Sequence, residues 1–169
     1  ITPNSKIYTV CDLNHAGGLL AQTLPGFRIG ADVTVEKFNA YKFCRVIQNY
    51  THTHITPAHG EAIIQTKSFK NLNLSDLTIT CGSDRVKWDI IEKFVERGAT
   101  FICNWGMSEI GPIVINTIFN SMNKFKEFKN KNLKIPSATI LGDRIYCDYQ
   151  ITKFKELIVK GDNCVFSGW

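Results

Sequence analysis

The chain has 169 residues, of which 44% are hydrophobic and 21% charged, enough apolar material for a buried core of ordinary size and too much for a disordered segment. No run approaches the roughly 18 consecutive apolar residues of a membrane span, and Ile1-Thr2-Pro3-Asn4-Ser5-Lys6 lacks the apolar stretch of a secretory signal, so a cytoplasmic protein with no membrane partner is expected. The net charge of +5 is local: Lys124, Lys126, Lys129, Lys131 and Lys134 against Glu127 place +4 in residues 120–134 and leave +1 for the rest.

In chain order, residues 7–11 read as a strand. His15-Ala16-Gly17-Gly18 turns the chain into a short apolar helix carrying Leu19, Leu20 and Leu24, which Pro25-Gly26 is expected to end. Residues 31–35 read as a strand, and 36–50 set Phe38, Tyr41, Phe43, Val46, Ile47 and Tyr50 on a broad helical face. Pro57 suits the first position of a helix running to about residue 67, where its missing N–H costs nothing. A strand over 77–81 precedes an amphipathic helix over 88–97, with Ile90, Ile91, Phe94 and Val95 together and Gly98 closing it. Residues 100–103 form the next strand.

Strands separated by helices of this length argue for βαβ units, hence an α/β fold with a largely parallel sheet flanked by helices. This part, with the loops that could carry chemistry, covers residues 1–118. A basic connector follows over 119–135. Because it contains no arginine and only Phe125 and Phe128 could stack on bases, a solvated loop or helix face is expected there, not a nucleic-acid surface. Residues 136–169 are β-rich, with short strands over 138–141, 144–150 and 156–160, and read as part of the same large domain.

The six cysteines, Cys11, Cys44, Cys81, Cys103, Cys147 and Cys164, contain no C-x-x-C pair, so neither zinc nor a redox dithiol is signalled and reduced thiols are expected. His52 and His54 share a face if their segment is a strand, but with His59 they lack the Cys or carboxylate that would complete a metal set. A Ser/His/Asp hydrolase is disfavoured because no G-x-S-x-G elbow occurs. In an open parallel sheet, ligands sit beyond the carboxyl ends of the strands. Three loops qualify, at 14–18, 82–84 and 104–111. In the third, Trp105 could cover a flat heterocycle, Gly106 permits close backbone approach, Ser108 could donate to a phosphate oxygen and Glu109 could hold Mg2+.

The order of those residues carries more than their composition. Trp105-Gly106-Met107-Ser108-Glu109-Ile110-Gly111-Pro112 resembles the Tyr-Gly-Met-Thr-Glu-x-Gly-Pro core motif of the adenylate-forming (AMP-binding) superfamily, which includes the acyl-CoA synthetases. Leu13-Asn14-His15-Ala16-Gly17-Gly18-Leu19 resembles its Pro-Leu-Phe-His-x-x-Gly-Leu segment, and Thr80-Cys81-Gly82-Ser83-Asp84 its Ser-Gly-Gly-Ala-Pro loop. Lys155-Glu156-Leu157-Ile158-Val159-Lys160-Gly161 with Gly168-Trp169 is similar to its Gly-Glu-Leu-x-Val-x-Gly…Gly-Tyr/Trp stretch. Trp105 stands for the usual Tyr, and Cys81 and Asp84 for a Gly and a Pro of the middle loop.

The resemblance implies a fragment of an ATP-dependent ligase that activates a small carboxylic acid. The carboxylate attacks the α-phosphate, pyrophosphate leaves, and the acyl-adenylate passes to coenzyme A or another thiol. It implies that Trp105 stacks on adenine, with Gly106 and Met107 beside it, that Ser108 bonds the α-phosphate, and that Glu109 binds Mg2+. Gly82, Ser83 and Asp84 would wall the adenine and the substrate. His15, Gly17, His59, Gly60 and Gly111 would line the acyl side, with His15 at the reacting end. The phosphate loop expected upstream of the His15 segment and the Thr-Gly-Asp expected after Gly-Trp are not in this sequence. The expectation is therefore a central piece of the large N-terminal domain, inactive without the remaining parts of a larger ligase. The alternative is an inactive remnant that binds a nucleotide or a protein.

Overall fold

In the computed structural model, which describes residues 1–132, 143–144 and 147–161, the centre of the molecule is a seven-stranded sheet. Its strands are β1 (Lys6–Thr9), β2 (Asp32–Val35), β3 (His52–Ile55), β4 (Thr78–Cys81), β5 (Thr100–Met107), β6 (Gly111–Phe119) and β7 (Asp143–Arg144). They lie in the order β2-β1-β3-β4-β5-β6-β7. The first five run parallel, and β6 and β7 are each antiparallel to the strand before. A separate antiparallel pair, β8 (Asp148–Ile151) and β9 (Leu157–Lys160), follows. The largely parallel sheet flanked by helices matches the expectation. The expected strand over 138–141, Cys164 and the Gly168-Trp169 end of the last motif lie outside the described residues.

The inner parallel strands β1, β3 and β4 are buried along most of their length, as a sheet with helices on both faces requires, while the edge strand β2 is half-exposed. In β1, Ile7 faces the helix α2 (Leu24–Ile29), which rests on it at Gly26, while Tyr8 on the opposite face meets Phe43 of α3 (Ala40–Val46) at 6.0 Å between ring centroids. The second face is completed by α4 (Pro57–Ile64), α5 (Trp88–Glu96) and α6 (Met122–Lys131). Phe43, Ile47, Ile63, Ile90, Phe94 and Phe101 fill the main core there with Phe119 and Phe125.

Local signals set several boundaries as expected. Pro57 opens α4 and the Thr56 hydroxyl accepts the His59 N–H at 3.2 Å. Gly98, at φ 94°, follows α5.

Other boundaries moved. Pro25 and Gly26 do not end the first helix: α1 (Ala16–Gly18) continues through a π-helical turn, Leu19–Thr23, into α2. The Leu24 N–H bonds the Leu19 carbonyl, one residue further than in an α-helix, and Pro25 falls in the first turn of α2, where its missing donor is not needed. Gly30, at φ 75°, ends the run. The expected helix over 36–50 starts only after Asn39, whose side chain accepts the Lys42 N–H at 2.9 Å. Glu36 stays extended because its N–H bonds the Thr9 carbonyl and its carboxylate receives the Tyr8 hydroxyl and the Lys42 ammonium, each at 2.8 Å.

The largest difference is at the core motif. β5 does not stop at residue 103 but carries Asn104, Trp105, Gly106 and Met107 within the strand. After a turn at 108–110 the chain returns as β6, a strand absent from the sequence reading.

Candidate active site

The chain passes from β1 out to β2 and then back beyond β1 to β3, so the strand order reverses beside β1. Such a reversal opens a crevice at the carboxyl ends of the strands. A cleft of about 310 Å³ lies there. Asn14 to Gly17, after β1, form one wall; His54 comes from β3, Ser83 from the loop after β4, and Asn104, Gly106, Met107, Ser108 and Pro112 from the β5–β6 hairpin. Three segments far apart in sequence, each singled out by its motif, thus meet in one place.

Of the sequence-predicted residues, the cleft brings together His15, Gly17, Ser83, Gly106, Met107 and Ser108. His15 is fixed by the start of α1, where its Nδ1 accepts the Gly17 N–H at 3.2 Å. Ser83 holds the left-handed φ of 75° that few non-glycine residues adopt, a local strain that the surrounding fold sustains at the rim of the site. Gly82 lies just behind it, so close to Asn104 that a Cβ would stand 2.5 Å from its Nδ2 and 2.6 Å from its carbonyl oxygen. Glu109 is half-buried in the turn beside Ser108, and Gly111 opens β6 at φ 96°.

The remaining candidates stand elsewhere. Trp105 points away from its neighbours Asn104 and Gly106, as strand alternation requires, and packs with Ile110, Val114 and Ile115, where Tyr149 and Val159 of the small sheet also join. Asp84 is exposed and its carboxylate accepts the Arg85 N–H at 2.6 Å. His59 stacks on Phe38 at 3.9 Å, and Gly60 is the contact at which α4 lies against Ile90 of α5.

The electrostatics of the cleft centre on His54. It is 4% exposed, and burial pulls its pKa down to about 4, with His15 and His59 acting in the same direction, so the ring is neutral at pH 7. Its Nδ1 lies 2.8 Å from the Thr80 hydroxyl, which also receives the Gln22 amide at 3.2 Å, while its Nε2 is buried without a partner. Asn104 gives its Nδ2–H to the Pro112 carbonyl at 3.1 Å and keeps a buried, unpartnered Oδ1. The Cys11 thiol lies 3.8 Å from His59 Nδ1, but burial pushes it up to about 11, so it is a poor nucleophile at neutral pH. Among the described residues no group of three His, Cys, Asp or Glu could hold a metal.

Comparison with known proteins gives the family and the fold. Residues 1–140 match the AMP-binding enzyme family. The chain belongs to that family. It is 28% identical to the indoleacetate–CoA ligase of Aromatoleum aromaticum, with all of the chain aligned to 34% of that protein. Among solved structures it resembles the N-terminal domain of FACL13 from Mycobacterium tuberculosis, with a TM-score of 0.78 and 12% identity over all of the chain and 43% of that structure. It also resembles the o-succinylbenzoate coenzyme A synthetase of Bacillus subtilis, solved with ATP and magnesium ion, with a TM-score of 0.75 and 17% identity over 99% of the chain and 35% of that structure. At these identities the structural likeness shows the shared fold. The chain spans about a third of the length of the curated relative.

Within this AMP-binding enzyme chain, sequence reasoning missed His54 and Asn104. In the sequence His54 reads only as a metal-ligand candidate with His52, yet His52 lies 2.8 Å from the neighbouring Thr51 hydroxyl and lines no part of the cleft. The signal available was position: His54 is the penultimate residue of a buried parallel strand, next to the end where such sheets bind ligands. Asn104 reads as part of a loop in the sequence, and only its place in β5 turns its side chain into the cleft.

Proposed function

We propose that this chain supplies the acyl and adenylate side of an ATP-dependent, AMP-forming ligase that activates a small carboxylic acid and passes it to a thiol such as coenzyme A. What carries this reading is the convergence of the His15, Ser83 and Ser108 segments on one cleft at the switch point of the sheet. The chemistry is a displacement at the α-phosphate, for which a protein mainly aligns the carboxylate and offsets developing charge. Ser108 is suited to donate to an α-phosphate oxygen, and His15 to border the reacting carboxylate. Trp105 braces the motif strand against the small sheet, so adenine would lie against the backbone of Gly82 and Ser83 and of Gly106 and Met107.

Glu109, alone in its turn, fits Mg2+, which uses one or two carboxylates and completes its shell with water and phosphate oxygens. Bound there, the ion would neutralise phosphate charge. We assign residues 1–118 to the α/β unit bearing these loops, 119–135 to a basic connecting helix region and 136–169 to a β-rich part of the same large domain. The remaining groups would come from further segments of a larger, cytoplasmic ligase. Phe125 is fully buried and Phe128 is half-buried against the core, which supports a solvated helix face over a nucleic-acid surface for this stretch.

The test is carboxylate-dependent exchange of pyrophosphate into ATP by the protein that carries this chain. Glu109→Ala is expected to abolish the exchange, and undiminished exchange in that variant overturns the assignment.

A further inference from the structure

Resting on the adenylate-forming reading, we propose that His54 is a binding residue for the acyl group, its Nε2–H donating a hydrogen bond to the acyl oxygen of the activated carboxylate. Three observations carry this. First, Nε2 is a buried polar atom without a partner on a residue that lines the cleft, and nearly all such atoms in folded proteins are paired. A ligand oxygen at that spot relieves the desolvation cost of leaving the atom unpaired.

Second, the ring is anchored from behind through Nδ1, which lies 2.8 Å from the Thr80 hydroxyl, itself receiving the Gln22 amide at 3.2 Å. With the Thr80 proton given to Nδ1, the neutral ring keeps its own on Nε2 as a donor facing the ligand side, and this is the tautomer the proposal requires. Third, Gly17 keeps that edge of the ring uncovered: a Cβ there would lie 2.6 Å from His54 Nε2 and 3.4 Å from His15 Nδ1. Both imidazoles flank one side-chain-free position at the His15 end of the cleft. A neutral donor suits this place because it can hold one oxygen of the acyl group without tying the other up as an ion pair.

The test uses the nitrogen-15 labelled protein that carries this chain, with histidine tautomers and ligand titrations read by NMR, which tolerates weak binding. The probes are AMP and a hydrolysis-resistant phenylacetyl-sulfamoyl adenosine. The free chain should show His54 as the Nε2–H tautomer, and the acylated probe should shift that signal while AMP leaves it in place. His54→Phe should weaken the acylated probe about tenfold and leave AMP affinity unchanged, whereas His54→Gln, which keeps an N–H at similar reach, should retain most of it. Gly17→Ala, which covers Nε2, should reproduce the loss and serves if His54→Phe does not fold. An Nδ1–H tautomer, or equal loss of both probes in His54→Phe, overturns the proposal. A wild-type protein carrying this chain that binds neither probe removes the adenylate-forming reading itself, and this inference with it.

Discussion

His54 and Gly82 show how much a single position in this cleft depends on its neighbours. The folded pKa of His54, about 4, lies below its ordinary 6.5, so between those values the unfolded chain binds a proton that the folded chain refuses. The stability this residue confers is complete above pH 6.5, falls as the pH drops toward 4, and changes no further below that. One pKa unit is worth about 1.4 kcal/mol, so the loss is about 3 kcal/mol. Burial of His52 and His59 lowers their pKa in the same direction and adds to the slope. Urea titrations at pH 7.5 and pH 5 should therefore differ by about 2 kcal/mol in the wild type on account of His54 and by clearly less in His54→Gln; an equal difference in both would remove His54 as the cause. Gly82→Ala has a steric outcome instead. Its Cβ would stand 2.6 Å from the Asn104 backbone oxygen, which cannot rotate away. The substitution should cost about 1–3 kcal/mol, read as a fall of several degrees in Tm, and a melting point equal to wild type would show that β5 yields at no cost.

Among the elements, α6 resolves the lysine-rich run. Its polar side carries Lys131 paired with Glu127 at 2.6 Å, and Lys129 reaches Glu92 on α5 at 3.0 Å. The opposite side buries Phe125 completely and packs Phe128 against the ring of Phe119 at 5.4 Å, with Trp88 of α5 facing all three rings. The helix is thus held by its aromatic side. Phe125→Ala should destabilise the fold by about 3–5 kcal/mol, while Ser121→Ala, which removes the hydroxyl that accepts the Lys124 N–H, should cost about 1 kcal/mol. Thermal melts would rank the two, and the reverse order would mean that capping rather than packing holds α6. Sequence periodicity found the helices whose caps and apolar faces are strong, such as α4 and α5. It failed at residues 104–119, because the glycines at 106 and 111 imitate a loop. The apolar run from Ile113 to Phe119 acquires its meaning only when paired, residue by residue, with β5.

Across the whole molecule, one apolar surface stands out. Leu20, Leu24 and Phe27 follow one another at helical spacing and are 47%, 45% and 57% exposed. Such a stripe promotes association of the isolated chain. Leu24→Lys combined with Phe27→Lys should reduce light scattering at high concentration while changing stability by no more than about 0.5 kcal/mol; a large loss of stability would mean that the stripe packs within the fold. The sequence by itself determined the alternation of strands and helices, the parallel sheet and the motif segments around His15, Ser83 and Ser108. These are encoded locally, in hydrophobic spacing, caps and short ordered patterns. Only the tertiary structure decided which of the motif residues share a cleft. It turned Trp105 toward the small sheet and Asn104 toward the cleft, set Gly60 as a helix contact, and left His54 Nε2 as an unpaired atom beside Gly17. The physical reason is that strand pairing fixes the face each side chain takes and burial fixes which polar atoms lose water, and both depend on segments tens of residues apart in the chain.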